Sequence, residues 1–388
     1  MIIAILLIFI LCALQLQGVY DVETSYLILF GFWLLVLLIF CQKKSIPILS
    51  QRRYLLIYLF LAIYFITSII NSSLVTAINR CVVFFSILSP VLMYEFLKGK
   101  SHDIRLAFIF FISLTFAANF YLFYQFLEIT NLKTLRDFNE YGADFYIMKT
   151  SFNTCYAVSL VMPALCGLLY QAKRRFVKAL IVAIILFLIL FLLRAQFMTA
   201  ILVAFIGITL EIIYRQKWDY YKSIFFSIVF CCFSLFVILP FVTEQLKDSD
   251  EYGVVTSKLT EINDVLSGKK RDADDINTRS SLNEMSLSTF LENPIIGVNY
   301  KLNDKRHSND QGIGNHAAWV DFLARYGICS VFVFIFLFIS LRKQRKEVSS
   351  PATMISFIIL GFFNPLFLFP QMFVTFLFNP LLYGLMKK

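Results

Sequence analysis

The sequence predicts an all-α, polytopic helical membrane protein with about twelve transmembrane helices and one large periplasmic loop that contains short helices. Hydrophobic residues make up 59% of the 388 residues and charged residues only 15%, below the roughly 25% of a soluble globular domain. Apolar runs long enough to cross a bilayer recur along almost the whole chain, whereas a β-barrel would show short alternating segments. Short basic clusters follow every second run, as expected of cytoplasmic loops.

The apolar runs define the spans. We expect them at about 2–17, 26–41, 54–70, 80–97, 106–127, 150–170, 178–193, 195–213, 223–242, 318–341, 352–369 and 371–386. The first run has no basic residue before it and no small-residue cleavage site, so we interpret it as a retained span rather than a signal peptide. Four prolines fall near span ends or between spans, where helix breaks are tolerated: Pro240, Pro365, Pro370 and Pro380.

The basic clusters predict which connections face the cytoplasm. They follow the even-numbered spans and the chain end: Lys43, Lys44, Arg52 and Arg53; Lys98, Lys100 and Arg105; Lys173, Arg174, Arg175 and Lys178; Arg215, Lys217 and Lys222; Arg342, Lys343, Arg345 and Lys346; Lys387 and Lys388. Because lysine and arginine hold loops on the cytoplasmic side, the pattern predicts both termini in the cytoplasm and an even number of spans.

One connection is much longer and more polar than the others, and by parity it faces the non-cytoplasmic side. Loops of this length are usually functional or disordered. Asn277 can cap a helix over Ser280–Leu291, Asn293-Pro294 ends that helix, and Asn315 can cap the helix that becomes span ten. The chain therefore divides into residues 1–242 (spans one to nine), 243–317 (the large loop) and 318–388 (spans ten to twelve).

Composition excludes several function classes. The net charge of +10 is explained by the cytoplasmic loops, and no basic face with interleaved aromatic residues lies outside them, so we expect no nucleic-acid partner. All eight cysteines lie in or at the edge of apolar runs without a CxxC pair, which predicts neither a disulfide framework nor a zinc site. No phosphate-binding loop, GxSxG or HExxH motif is present. We therefore expect no metal and no cofactor.

His316 is the first candidate for chemistry. It lies in GNHAAWVDFLARYG, at the aqueous mouth of span ten. In the first turn of a helix the positive end of the dipole disfavours the protonated imidazole, and a neutral imidazole is what a general base needs. On the residues alone, a structural histidine that hydrogen-bonds at the interface remains an alternative.

Two arginines are the candidates for binding an anion. Arg194 interrupts the apolar stretch LFLLRAQFMTAIL on the same side as His316, and such residues mark functional cavities or anchor a helix end. Arg279 opens the predicted loop helix, where a guanidinium and a helix N-terminus together suit a phosphate. A solvated loop arginine is the alternative for Arg279.

Six further residues could support this site. Arg80 begins span four on the outer side, and Asn315 directly precedes the histidine. Asp321 and Arg325 stand four residues apart in the order that favours a helical ion pair. Trp319 and Tyr326 are typical of an interfacial aromatic belt.

Three segments resemble the O-antigen polymerase and O-antigen ligase superfamily of bacterial membrane glycosyltransferases. GNHAAWVDFLARYGI resembles the histidine-containing loop-to-helix motif, RSSLNEMSLSTFLENPIIGV the arginine helix that ends in Asn-Pro and Gly, and LRAQFMTAILVAF the arginine at the start of a span. The overall plan of about twelve spans with a large outer loop between spans nine and ten is also similar. The ending LARYG resembles the polymerase (Wzy-type) branch more than the ligase branch.

The resemblance implies a place and a chemistry. The protein would be a multi-pass protein of the bacterial inner membrane, with the large loop in the periplasm. Its substrate would be an oligosaccharide on undecaprenyl pyrophosphate, with membrane lipids around the spans and a chain-length regulator protein as a further partner. His316 would take the proton of an attacking sugar hydroxyl, and Arg194 and Arg279 would bind the pyrophosphate leaving group without a metal.

Three functions follow from these residues. The first is a polymerase of O-antigen or a related surface polysaccharide, which transfers a glycan chain from its lipid carrier onto a lipid-linked repeat unit. The second is a ligase of the same fold whose acceptor is lipid A–core. The third is a polysaccharide transporter or flippase, although transporters usually show internal repeats and broken helices at the midplane.

Overall fold

The computed structural model describes residues 42–114, 151–195, 197–215, 274–299, 311–347 and 350–386, together with isolated positions near 31–39, 117 and 260. Within these residues the protein is helical and contains no strand, as the sequence predicts. Spans one, two and nine, half of span five and the rest of the large loop lie largely or wholly outside the described residues.

Thirteen α-helices can be named in the described part of the chain. They are α1 (Gln42–Leu49), α2 (Arg52–Asn71), α3 (Leu74–Leu97), α4 (102–114), α5 (Ser151–Gln171), α6 (Arg175–Ala195), α7 (Met198–Arg215), α8 (Asp274–Glu292), α9 (Ala318–Tyr326), α10 (Ser330–Glu347), α11 (Pro351–Phe363), α12 (Phe369–Phe373) and α13 (Asn379–Met386). A 3₁₀ turn, Gly327–Cys329, joins α9 to α10, and a π-helical turn, Val374–Phe378, joins α12 to α13.

Six stretches in these residues are long and apolar enough to cross a membrane. They are Arg52–Ile70, Leu74–Leu97, Thr154–Gln171, Arg175–Leu193, Met198–Arg215 and Ala318–Arg345, and they match predicted spans three, four, six, seven, eight and ten. The prediction for span eleven is wrong in length, because α11 has only 13 residues and ends at Phe363. Span twelve is interrupted by the π-helical turn.

The predicted basic clusters meet at one end of the bundle. Glu95, at the end of α3, accepts from Arg53 Nη2 of α2 at 2.5 Å, from Lys98 Nζ at 2.8 Å and from Lys343 Nζ of α10 at 3.0 Å. Since a buried charge is costly unless it is paired, this carboxylate fixes three helix ends together. We call this the basic end.

A second buried carboxylate serves the same end. Glu211 is fully buried on α7, pairs with Arg215 Nε at 2.8 Å and accepts a hydrogen bond from the Ser350 hydroxyl at the start of α11. Ser350 follows α10 by only three residues, so both carboxylates lie on the same side.

The opposite end carries the described part of the large loop, and we call it the loop end. Asn299 donates from Nδ2 to Thr67 Oγ1 and Ser68 Oγ, both at 3.5 Å, at the end of α2. Tyr156, early in α5, donates to Asn364 Oδ1 at 2.6 Å, just after α11. Helices therefore start and stop alternately at the two ends, which agrees with the alternation read from the charges.

Aromatic side chains fill the space between α2, α3 and α9. Phe60, Tyr64, Phe84, Phe322 and Tyr326 are all under 9% exposed, and their ring centroids are separated by 4.5–6.4 Å. Offset and edge-to-face pairs at these separations stabilise beyond their area of burial. This cluster fixes α9, and therefore the residues just before it, against the membrane helices.

The last helical stretch contains a proline that the sequence assigns to a span boundary, and this prediction is wrong. Pro380 is the second residue of α13 and has no N–H to give to the carbonyl of Phe376 four residues earlier. Gln344 of α10 donates its Nε2 to that carbonyl at 2.8 Å. In the adjoining π-helical turn, Asn379 N donates to Val374 O, five residues earlier. This wider turn accommodates the proline within a continuous helical stretch.

We predict that Gln344→Leu destabilises the protein by about 1–3 kcal/mol, the cost of leaving a buried carbonyl without a donor. In a Pro380→Ala background the restored N–H reaches the same carbonyl, so the cost of Gln344→Leu becomes smaller. Thermal unfolding of the four variants in detergent micelles gives the coupling between the two positions. An equal loss in both backgrounds would show that Gln344 acts elsewhere.

Candidate functional site

The loop helix that carries Arg279 begins earlier than the sequence suggests. α8 starts at Asp274, so Asn277 lies within the helix rather than capping it, and Arg279 is the sixth residue rather than the first. Both predictions are wrong, because the polar residues 274–279 themselves form the first turns of the helix. The predicted end is confirmed, since α8 stops at Glu292 directly before Asn293-Pro294.

The two loop motifs interlock through their backbones. Val298 N donates to Ala324 O at 3.1 Å, and Ile328 N donates to Pro294 O at 2.7 Å. Gly297 and Gly327 have φ of +65° and +59°, and a Cβ on either would lie within 2.5 Å of backbone atoms of the other segment. Only glycine combines this left-handed conformation with so close an approach. The end of the arginine helix is thereby fixed to the end of α9.

Asp321 supports the segment that carries His316. Its carboxylate is 8% exposed and accepts from Ser286 Oγ of α8 at 2.6 Å and from Ala317 N at 2.8 Å. Ser286 Oγ also accepts from Gly314 N at 2.9 Å. Asp321 therefore supports the geometry of the loop, as the sequence allowed, and it does so through α8.

The imidazole of His316 lies just before α9 rather than in its first turn. The helix begins at Ala318 and its N-cap is Ala317, so the predicted position of His316 is off by one step and the helix dipole is not the main influence on it. Burial of the imidazole, followed by the nearby charge of Arg279, lowers the pKa of His316, while the carboxylate of Asp321 opposes this shift. A half-buried, neutral imidazole is suited to accept a proton.

Arg279 lies beside the same imidazole, against the end of α11. Its Nη1 donates a long hydrogen bond of 3.5 Å to Phe363 O, a carbonyl in the last turn of α11 without a partner in its own helix. A cation at a helix C-terminus is also favoured by the dipole. Arg279 interacts electrostatically with both His316 and Tyr156, so it lies between the loop and α5.

Asn315 and Arg325 do not have the predicted roles. Asn315 adopts a left-handed conformation with φ of 57° and does not cap α9. Arg325 donates from Nη2 to Asn315 Oδ1 at 3.4 Å. Within the residues that the structure describes, Arg325 forms no ion pair with Asp321, because the carboxylate is already committed to Ser286 and Ala317.

Trp319 and Tyr326 both pack against other helices, Trp319 partly buried and Tyr326 buried, so the assignment of Tyr326 to an interfacial belt is wrong. Trp319 Nε1 donates to Ile358 O of α11 at 2.9 Å, and its ring lies where a Cβ on Gly361 would be. Tyr326 belongs to the aromatic cluster between α2, α3 and α9. Both residues fix α9 against its neighbouring helices.

Arg80 and Arg194 both lie toward the loop end. Arg80 is the seventh residue of α3 and, with Arg325, interacts electrostatically with Tyr64. Arg194 is the second-to-last residue of α6, and its side chain lies outside the described residues. α5 and α7 run parallel, with Pro163 beside Gly207 and Gly167 beside Glu211, so the end of α6 between them is at the loop end.

Three site residues were not found from the sequence. Asn364 could have been suspected, since an Asn-Pro pair interrupts an apolar run. Tyr156 and Ser286 carry no such signal, because one is a single tyrosine in an apolar span and the other a serine in a serine-rich helix. Only the contacts of Tyr156 with Asn364 and of Ser286 with Asp321 identify them.

No protein-family model, curated protein or solved structure matches this chain.

We predict that Gly297→Ala destabilises the protein by about 2 kcal/mol or more, since a Cβ meets the Arg325 carbonyl at 2.4 Å and the left-handed conformation costs roughly 1–2 kcal/mol without glycine. The measurement is thermal unfolding in detergent. Gly99→Ala is the matched control, since nothing lies within 4 Å of its Cβ position. Equal melting temperatures for the two variants would contradict the interlock.

We also predict that His316 titrates with a pKa below its ordinary value and that Arg279→Gln raises it, because one of the two causes of the shift is removed. The sign follows from charge, since a neighbouring cation disfavours the imidazolium. Histidine-selective NMR measures both, with His316→Gln assigning the resonance among the three histidines. Arg325→Gln, which removes a cation from the same end, should leave this pKa nearly unchanged. If the pKa of His316 is the same in the wild type and in Arg279→Gln, the guanidinium does not lie beside the imidazole.

Proposed function

We propose that this protein is an O-antigen or related surface-polysaccharide polymerase, which transfers a glycan chain from undecaprenyl pyrophosphate onto a lipid-linked repeat unit. The observation that carries the proposal is that Arg279, bonded to the end of α11, lies near enough to the half-buried His316 to lower its pKa. A base near a cation is what glycosyl transfer from a diphosphate needs. The resemblance of three sequence segments to the polymerase branch supports the same assignment.

The reaction is a displacement at the anomeric carbon. The hydroxyl oxygen of the acceptor sugar forms the new bond to that carbon while its proton passes to a ring nitrogen of His316. The bond from the anomeric carbon to the phosphate oxygen breaks, and the electron pair leaves with the undecaprenyl pyrophosphate. Attack from the face opposite the leaving group inverts the anomeric configuration.

The leaving group acquires negative charge as the bond breaks, and Arg279 and Arg194 would stabilise it. A guanidinium presents several N–H donors to phosphate oxygens in a fixed plane. The two arginines then supply the positive charge that a metal supplies in other transferases. The undecaprenyl tail lies against the apolar spans.

The proposed reaction also requires a cellular location and partners. The basic end is assigned to the cytoplasm by the positive-inside rule, and the loop end to the periplasm of a bacterial inner membrane. The substrate is a lipid-linked oligosaccharide, and a chain-length regulator protein is an expected partner. A ligase that uses lipid A–core as acceptor would use the same donor chemistry, so the acceptor decides between the two.

We predict that His316→Ala lowers glycan transfer by roughly 10²–10⁴-fold, the usual contribution of a general base. Arg279→Lys, which keeps the charge but loses the guanidinium plane, should give a smaller loss. The assay follows conversion of a lipid-linked oligosaccharide to longer chains by the purified protein in lipid vesicles. His102→Ala, at the start of α4 beside the basic end, is the histidine control and should retain full activity.

The products distinguish the candidate functions. Chains that grow on the lipid carrier indicate a polymerase, and transfer only onto added lipid A–core indicates a ligase. Unchanged chain length and amount in a membrane-inserted His316→Ala protein would remove His316 as the base.

A further inference from the structure

A pair of buried polar side chains lies next to Arg279 and has no part in the mechanism above. Asn364 is 4% exposed, and its Oδ1 accepts from the hydroxyl of Tyr156, which is 5% exposed, at 2.6 Å. The amide nitrogen, Nδ2, has no hydrogen-bond partner among the described residues. A buried donor without an acceptor costs roughly 1–3 kcal/mol, so its retention needs an explanation.

The amide of Asn364 turns its oxygen toward Tyr156 and its nitrogen away from it. The tyrosine hydroxyl donates to the amide oxygen, and the N–H groups of Asn364 have no acceptor among the described residues. Asn364 ends α11 in an extended conformation and precedes Pro365, so its backbone is held by the helix end and by the proline.

The unused donors lie close to the guanidinium. Arg279 bonds to the carbonyl of Phe363, the residue directly before Asn364, and it also interacts electrostatically with Tyr156. Arg279, Tyr156 and Asn364 therefore form one cluster from α8, α5 and the end of α11. Within the described residues, no ion pair occupies the guanidinium.

We propose that Asn364 and Arg279 form a joint oxyanion subsite, in which the amide N–H and the guanidinium bind oxygens of one diphosphate, and that Tyr156 holds the amide in its donating orientation. The inference rests on the proposed function for the source of the diphosphate. It assigns two residues that the mechanism does not require. An anion is the fitting ligand, because the groups that remain available are the amide nitrogen of Asn364 and the guanidinium of Arg279, and both are donors.

The test is titration of the purified protein with inorganic pyrophosphate, followed by the histidine NMR signal of His316. A bound anion beside Arg279 offsets its charge, so the signal of the wild-type protein should move and its pKa should rise. Asn364→Ala should weaken binding roughly 10–100-fold, the range for a hydrogen bond to a charged group. Asn364→Asp, which replaces the donor by a carboxylate, should abolish it.

Tyr156→Phe separates the orienting role from simple packing. It keeps the ring and removes only the hydroxyl, so it should weaken pyrophosphate binding less than Asn364→Ala does. The buried amide oxygen that it leaves without a donor should lower the melting temperature only modestly. Ser356→Ala is the matched control, since its hydroxyl is also buried without a partner on α11 but lies two turns from Asn364. This variant should bind pyrophosphate as the wild type does.

A short prenyl diphosphate identifies the source of the ligand. Tighter binding of the prenyl compound, with the same loss in Asn364→Ala, indicates a lipid diphosphate, whereas equal binding of both probes indicates a free anion. Absence of pyrophosphate binding in the wild type, or binding by a folded Asn364→Ala protein that equals the wild type, would overturn the subsite. Binding that depends on Asn364 without any glycan transfer would keep the subsite and reject the proposed function.

Discussion

The hydroxyl of Ser286 connects the two halves of the candidate site. It donates to Asp321 and accepts from the backbone of Gly314, while Asp321 also holds Ala317. One small side chain on α8 therefore fixes the segment 314–317, and with it His316, relative to the helix that carries Arg279. Neither partner could be exchanged without loss, because Asp321 is buried and an unpaired buried carboxylate is strongly destabilising. The position of His316 relative to Arg279 depends on this connection.

The charged side chains at the two ends of the bundle have different partners. At the basic end, the buried Glu95 pairs with Arg53, Lys98 and Lys343, and the buried Glu211 pairs with Arg215. At the loop end, the described cations Arg279 and Arg325 bond to a carbonyl and an amide oxygen, and the buried acid Asp321 is committed to the loop. Among the described residues, Arg279 and Arg325 therefore form no ion pair. A guanidinium without a carboxylate partner is suited to bind an anion.

The sequence predicted the membrane class, the alternation of basic clusters and the end of the loop helix, because each depends on composition or on local chain chemistry. It failed where a side chain is claimed by a distant partner. Asp321 and Arg325 have the spacing of an ion pair, yet Ser286, 35 residues away, takes the carboxylate. Tryptophan is a residue type typical of an interfacial belt, yet the ring of Trp319 packs on Gly361. Tyr156 and Asn364 are 208 residues apart, and no local pattern could join them.

The short α11 sets the depth of the site. It starts at the basic end, where Ser350 meets Glu211, and its 13 residues extend only about 20 Å at 1.5 Å per residue. The hydrocarbon core is about 30 Å thick, so α11 alone is too short to cross it. Irregular backbone at this depth is tolerated only when it is buried in protein or lines a cavity. The break that follows α11 therefore leaves Asn364 buried in protein, 4% exposed, and bonded to Tyr156.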